Sequence, residues 1–113
     1  MSHLTHIPKS VIDFVQTYVD DVVELRLLVT LHGAPDGTQT VQRIALDLDL
    51  PAAQVRDAAD DLVGDGLIRA SSDQLQLAPS SISDRLALAD LAGLYAADRA
   101  AVLGLLAAIR GQA

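Results

Sequence analysis

The chain has 113 residues, enough for one globular domain, and half of them are hydrophobic, so a core can form without disulfides or metal staples. It holds no cysteine, which excludes disulfides, thiolate metal sites and thiol nucleophiles. With 15 acidic residues against 8 basic ones the formal net charge is −7, and a surface of that sign repels phosphate backbones.

Further classes fall away on composition. Aromatic residues make up 3% of the chain (Phe14, Tyr18, Tyr95), so stacking platforms for single-stranded nucleic acid are not expected. Residues 1–9 carry no basic region followed by an apolar stretch, so no secretory signal is expected there. The longest strongly apolar run, residues 100–109, is well short of the roughly 20 residues a spanning helix needs. The expected location is cytoplasmic, with no membrane contact.

Residues 1–8 read as a flexible leader. Val11, Ile12, Phe14, Val15, Tyr18 and Val19 then recur at helical spacing after Pro8 and Ser10, which predicts a first helix over Lys9–Tyr18. Asp20 or Asp21 can cap a second helix carrying Val22, Val23, Leu25, Leu28, Val29 and His32, ended by Gly33. Two glycines and Pro35 make residues 33–37 the clearest loop. Thr40 can cap a short helix with Val41, Ile44, Ala45 and Leu48 inward. Pro51 suits the start of the next helix, over 52–63, which points Val55, Ala58, Ala59 and Leu62 inward and ends at Gly64 and Gly66.

There the period changes. Residues 67–70 and 74–77 around Ser71-Ser72-Asp73 predict a β-hairpin, with the alternation clearest in Gln74-Leu75-Gln76-Leu77. After Pro79 and a run of serines, residues 84–110 contain no proline and are dominated by Leu and Ala, which predicts one long helix. A helix of that length extends about 40 Å, more than so small a domain covers, so part of it should pack on another chain. Leu88, Leu91, Tyr95, Val102, Leu105 and Ile109 have the alternating spacing of such a seam, with Asp98 interrupting it. The organisation expected is a mainly α domain over 9–79 and a dimerisation helix over 80–113 packed on it.

The order helix, loop, short helix, tight turn, helix, hairpin resembles the winged helix-turn-helix superfamily, in particular the small bacterial regulators of the MarR and ArsR kind. The likeness is carried by Thr40-Val41-Gln42-Arg43-Ile44-Ala45-Leu46-Asp47-Leu48, the turn to Pro51, and the stretch from Val55 to Ile68. Within that stretch, Leu62-Val63-Gly64-Asp65-Gly66-Leu67-Ile68 is similar to the passage from recognition helix into wing. The resemblance implies a fold of N-terminal helix, winged helix-turn-helix and long C-terminal helix, with dimerisation through the chain's flanking helices.

It also implies that the outward face of the second helix of the pair meets the major groove. Here that face is Ala52, Ala53, Gln54, Arg56, Asp57, Asp60 and Asp61, and its three aspartates oppose a polyanion. Gln54 can read adenine and Arg56 can pair with guanine or phosphate. The expected wing carries Arg69 as its one cation and Asp73 at its turn. Two readings follow. In the first, the module binds a protein with a basic surface through Asp57, Asp60, Asp61 and Asp73. In the second, it is a DNA-binding transcriptional regulator that uses Arg43, Gln54, Arg56 and Arg69.

No constellation nominates an enzyme, a cofactor or a metal. His3-x-x-His6 lacks a third ligand nearby, and His32 suits a helix C-terminus. Asp20-Asp21 and Asp60-Asp61 are adjacent in sequence, so on a helix the members of each pair diverge. No glycine spacing forms a phosphate loop with a lysine.

Overall fold

The protein is described here from a computed structural model over residues 7–111. The His3-x-x-His6 pair and most of the expected leader lie outside the described residues. The chain is mainly helical with a small three-stranded antiparallel sheet.

Helix α1 (Lys9–Tyr18) buries Val11, Phe14 and Val15, and the rings of Phe14 and Tyr18 sit 5.0 Å apart. Helix α2 (Val22–His32) begins at Asp21, whose Oδ1 accepts the Glu24 N–H at 2.9 Å, and stops at Gly33. Leu25, Leu27, Leu28 and Leu31 have no exposed surface, because α4, α5, α3 and the sheet all pack on this helix. A short turn over Pro35–Gly37 follows. Gly37 is required in it: its φ is +65°, and a Cβ there would lie 3.3 Å from the Cβ of Leu77.

Strand β1 (Thr38–Thr40) comes next and was not legible, since Thr-Gln-Thr has no apolar alternation to mark it. Helix α3 (Val41–Leu48) is capped by Thr40, whose Oγ1 accepts the Arg43 N–H at 3.1 Å. It ends on Asp49 in the left-handed region (φ 56°), which lets the Leu50 N–H reach the Ala45 carbonyl at 3.0 Å. Arg26 of α2 donates to the Leu48 carbonyl at 3.3 Å and ties this helix end to the core. Pro51 then leads into α4 (Ala52–Gly64), and Gly66 (φ +80°) turns the chain into the hairpin of β2 (Ile68–Ser71) and β3 (Gln74–Leu77). The sheet order is β1-β3-β2, with Gln39 opposite Leu75 on one side of β3 and Ala70 opposite Leu75 on the other.

The expected single long helix over 84–110 is two helices, α5 (Ile82–Ala97) and α6 (Arg99–Arg110), bent by 119°. The break falls at Asp98, whose backbone leaves the helical region and whose Oδ1 accepts the Ala101 N–H at 3.1 Å as the cap of α6. Folding back disposes of the length that called for a second chain. The seam assigned to a dimer is corrected by the same bend: Leu88, Leu91 and Val102 are buried in the chain's own core, and Tyr95, Leu105 and Ile109 are half-buried against it. Tyr95 also carries the Arg99 guanidinium over its ring at 5.6 Å.

The end of α6 closes on α1. Arg110 donates from Nε to the Val19 carbonyl at 3.0 Å and from Nη2 to the Gln16 carbonyl at 3.1 Å, so one guanidinium satisfies carbonyls that α1 leaves open at its C-terminus. Among the described residues no single helix is long and apolar enough to cross a membrane.

Leu91 lies on α5 with no exposed surface, so its loss leaves a cavity in the centre of the protein. Leu91→Ala is expected to cost about 2–5 kcal/mol in urea unfolding, with little change in the slope of the transition.

Candidate functional site

Helix α4 presents the surface that the sequence singled out, and it does so because Val55, Ala58, Ala59 and Leu62 occupy its buried side. Gln54, Arg56, Asp57, Asp60 and Asp61 are all exposed on the remainder. The four aspartates expected to act together do not form one cluster. Asp73, at the β2–β3 turn, is 3.2 Å from Arg56 Nη2 and forms an ion pair with it. The turn that carries Asp73 is also held to the start of α3, because the Asp73 carbonyl accepts the Val41 N–H at 2.8 Å.

The residues proposed to touch DNA are similarly divided. Arg43 pairs with Asp47 one helical turn on, at 3.3 Å, and Arg56 pairs with Asp73. Arg69 is exposed on β2 and makes no ion pair among the described residues. The two candidate sets, one acidic and one basic, therefore meet and partly neutralise each other at Arg56 and Asp73. Both side chains are about half exposed, so water screens the pair and either partner can swing away.

Asp57 and Asp61, exposed on α4, also border the start of α2. Together with Asp21, Glu24 and Gln54 they line a crevice of about 110 Å³ between the start of α2 and α4. Glu24 is the one buried charged side chain among the described residues, at 1% exposure. Its Oε1 accepts the Asp20 N–H at 3.1 Å while its own N–H is held by Asp21, a variant of the reciprocal capping box. One carboxylate oxygen each from Asp20, Glu24 and Asp61 lies within 4.8 Å of the other two.

The electrostatics follow from the burial. Burial pushes the Glu24 carboxyl up to about 7; a hydrogen bond with Asp61 and the charges of Asp20 and Asp21 add to the rise, and the Asp20 amide opposes it. Asp65, just past α4, is also raised, by burial and then by Asp20 and Asp61. On the far side of α1, the Tyr18 hydroxyl donates to Asp84 Oδ2 at 2.9 Å, and that bond raises its titration further.

Sequence reasoning missed this cluster. Its local half was available in Asp21-x-x-Glu24, the signature of a capping box, and in a lone glutamate inside Val-Val-Glu-Leu. Its other half, Asp61, is 37 residues away and is brought in only by the packing of α4 on α2. Two apolar grooves complete the surface. One, of about 630 Å³, lies at the α3–α4 turn beside Leu46, Leu50 and Pro51, and the other, of about 400 Å³, lies between Val22 and Leu103, Leu106 and Ala107 of α6.

Compared with protein-family models, with curated proteins and with solved structures, the chain finds no match.

A double-mutant cycle on Arg56→Ala and Asp73→Ala is expected to give a coupling below about 1 kcal/mol that shrinks as salt is added, read from urea unfolding. A coupling of several kcal/mol would show that the pair is a structural strut.

Proposed function

We propose that the protein is a non-enzymatic winged helix-turn-helix module that binds a basic surface on a protein partner through the acidic exposed face of α4. The reading is supported by the order of elements: α3, a turn at Asp49–Pro51 and α4 are followed directly by a hairpin, and β1 joins that hairpin just ahead of α3. The observation that carries the choice of partner is electrostatic. Asp57, Asp60 and Asp61 occupy the face where a duplex would lie, and the one cation on that face, Arg56, is engaged by Asp73. A basic protein surface is attracted by the same charges.

DNA binding by a transcriptional regulator of this type is the second reading, and Gln54 and Arg69, exposed and outside any ion pair, favour it. With Arg43 and Arg56 released from their aspartates, those four residues would make the contacts. The proposal also makes the protein a homodimer. The large apolar side chains that α5 leaves exposed are Ile82 and Leu86, and pairing is assigned to them instead of to the buried seam.

Duplex selection at about 0.15 M salt is expected to recover nothing with the wild type, whereas Asp57→Lys/Asp60→Lys gains salt-sensitive duplex binding. The same double substitution should abolish capture of a basic protein partner. A defined duplex retained tightly by the wild type would replace the first reading by the second. Light scattering is expected to report a dimer that Leu86→Asp converts to a monomer, and a wild-type monomer at all concentrations would remove dimerisation from the proposal.

A further inference from the structure

We propose that Glu24 is a proton-operated latch: in its neutral form it fastens the start of α2 to the second half of α4, and loss of its proton loosens that seam and with it the acidic face of α4. The inference rests on the carboxylate cluster alone and is independent of what α4 binds.

A neutral Glu24 carboxyl is satisfied at both oxygens. One accepts the Asp20 N–H at 3.1 Å, and the other can donate its O–H to the Asp61 carboxylate. No buried side-chain nitrogen or oxygen among the described residues is left without a partner, which agrees with that state. An ionised Glu24 has no O–H to give, and it places a buried charge among oxygens of Asp20 and Asp61 that lie within 4.8 Å of it and of each other. Like charges at such range disfavour joint ionisation, so a proton is held between the start of α2 and α4.

Glu24 is surrounded by aspartates. Asp20 and Asp21 come from the α1–α2 junction and Asp61 from α4, with Asp57 lining the same crevice and Asp65 just beyond it. The nearest cation in the ion pairs of this region is Arg110 of α6, whose Nη2 lies 3.7 Å from Asp20 and also donates to the Gln16 carbonyl, while its Nε donates to that of Val19. No charge on α3, α5 or β3, the other elements packed on α2, is among those acting on Glu24.

The sign is fixed by linkage. Glu24 binds its proton more tightly in the folded chain, up to about 7 against an ordinary value of 4.5, so stability from this group is full below the ordinary value. It is lost as pH rises through the folded value and is flat above it. The window therefore runs from the ordinary value of 4.5 up to about 7.

The test is a carboxyl-carbon NMR titration of Glu24 combined with amide hydrogen exchange over residues 57–64, from about pH 5.5 to about pH 8.5, corrected for the intrinsic exchange rate. In the wild type, Glu24 should titrate near neutrality and protection on α4 should fall by on the order of tenfold or more across the window. Glu24→Gln keeps an acceptor for the Asp20 N–H and a permanent donor to Asp61, so its protection should not change. Asp61→Asn, which removes the facing charge, should move the Glu24 midpoint down toward the ordinary carboxyl value and provides the test if Glu24→Gln fails to fold. A Glu24 midpoint at the ordinary value in the wild type, a midpoint unmoved by Asp61→Asn, or parallel pH traces for wild type and Glu24→Gln would each overturn the latch.

Discussion

The rest of the protein packs around one helix whose leucine side is withdrawn entirely from water. That helix is α2, whose leucines are wholly enclosed by α4, α5, α3 and the sheet. At its start, N–H groups that the helix leaves open are taken up by nearby side chains. Asp21 and Glu24 do so from within the chain's own local sequence, and the packing of α4 adds Asp61 to them. The acidic cluster thus joins the buried Glu24 to the exposed Asp20 and Asp61, and Asp61 links it to the acidic face of α4.

The exposed face is governed by a different balance. Each cation that could contact a phosphate has an aspartate within reach except Arg69, and the aspartates outnumber the cations. Exposed pairs of this kind are weak and exchange readily with water. What they determine is the charge that an approaching partner meets, and on α4 three exposed aspartates outnumber the one arginine. The hairpin turn is coupled to this surface twice, by the Arg56–Asp73 pair and by the bond from the Val41 N–H, so the turn, α3 and α4 form one patch.

Much of the fold was legible because its signals are local. Asp21, Thr40, Pro51, Gly33 and Gly66 each end or begin an element for a reason contained in a few residues, and the helices and hairpin fall where those residues put them. β1 escaped because its three polar residues gain their identity only from pairing with β3. The break at Asp98 was visible as an interruption, yet spacing alone could not distinguish a polar position on a continuous helix from the cap of a new one. The seam through Leu88, Leu91 and Val102 was identified correctly as apolar and assigned to another chain for want of knowing that α6 folds back. Of the candidate site, the charges of α4 were readable, whereas the meeting of Asp61 with Glu24 depends on tertiary packing.

The guanidinium of Arg110 has a consequence for how the molecule is made. It bonds carbonyls more than ninety positions earlier in the chain, with separations of 91 and 94 residues, and α1 otherwise packs on α5, itself a late element. Docking of α1 therefore depends on contacts of high sequence separation, which form slowly because a long stretch of chain must first close into a loop. Helix α1 is thus held in place by α5 and α6.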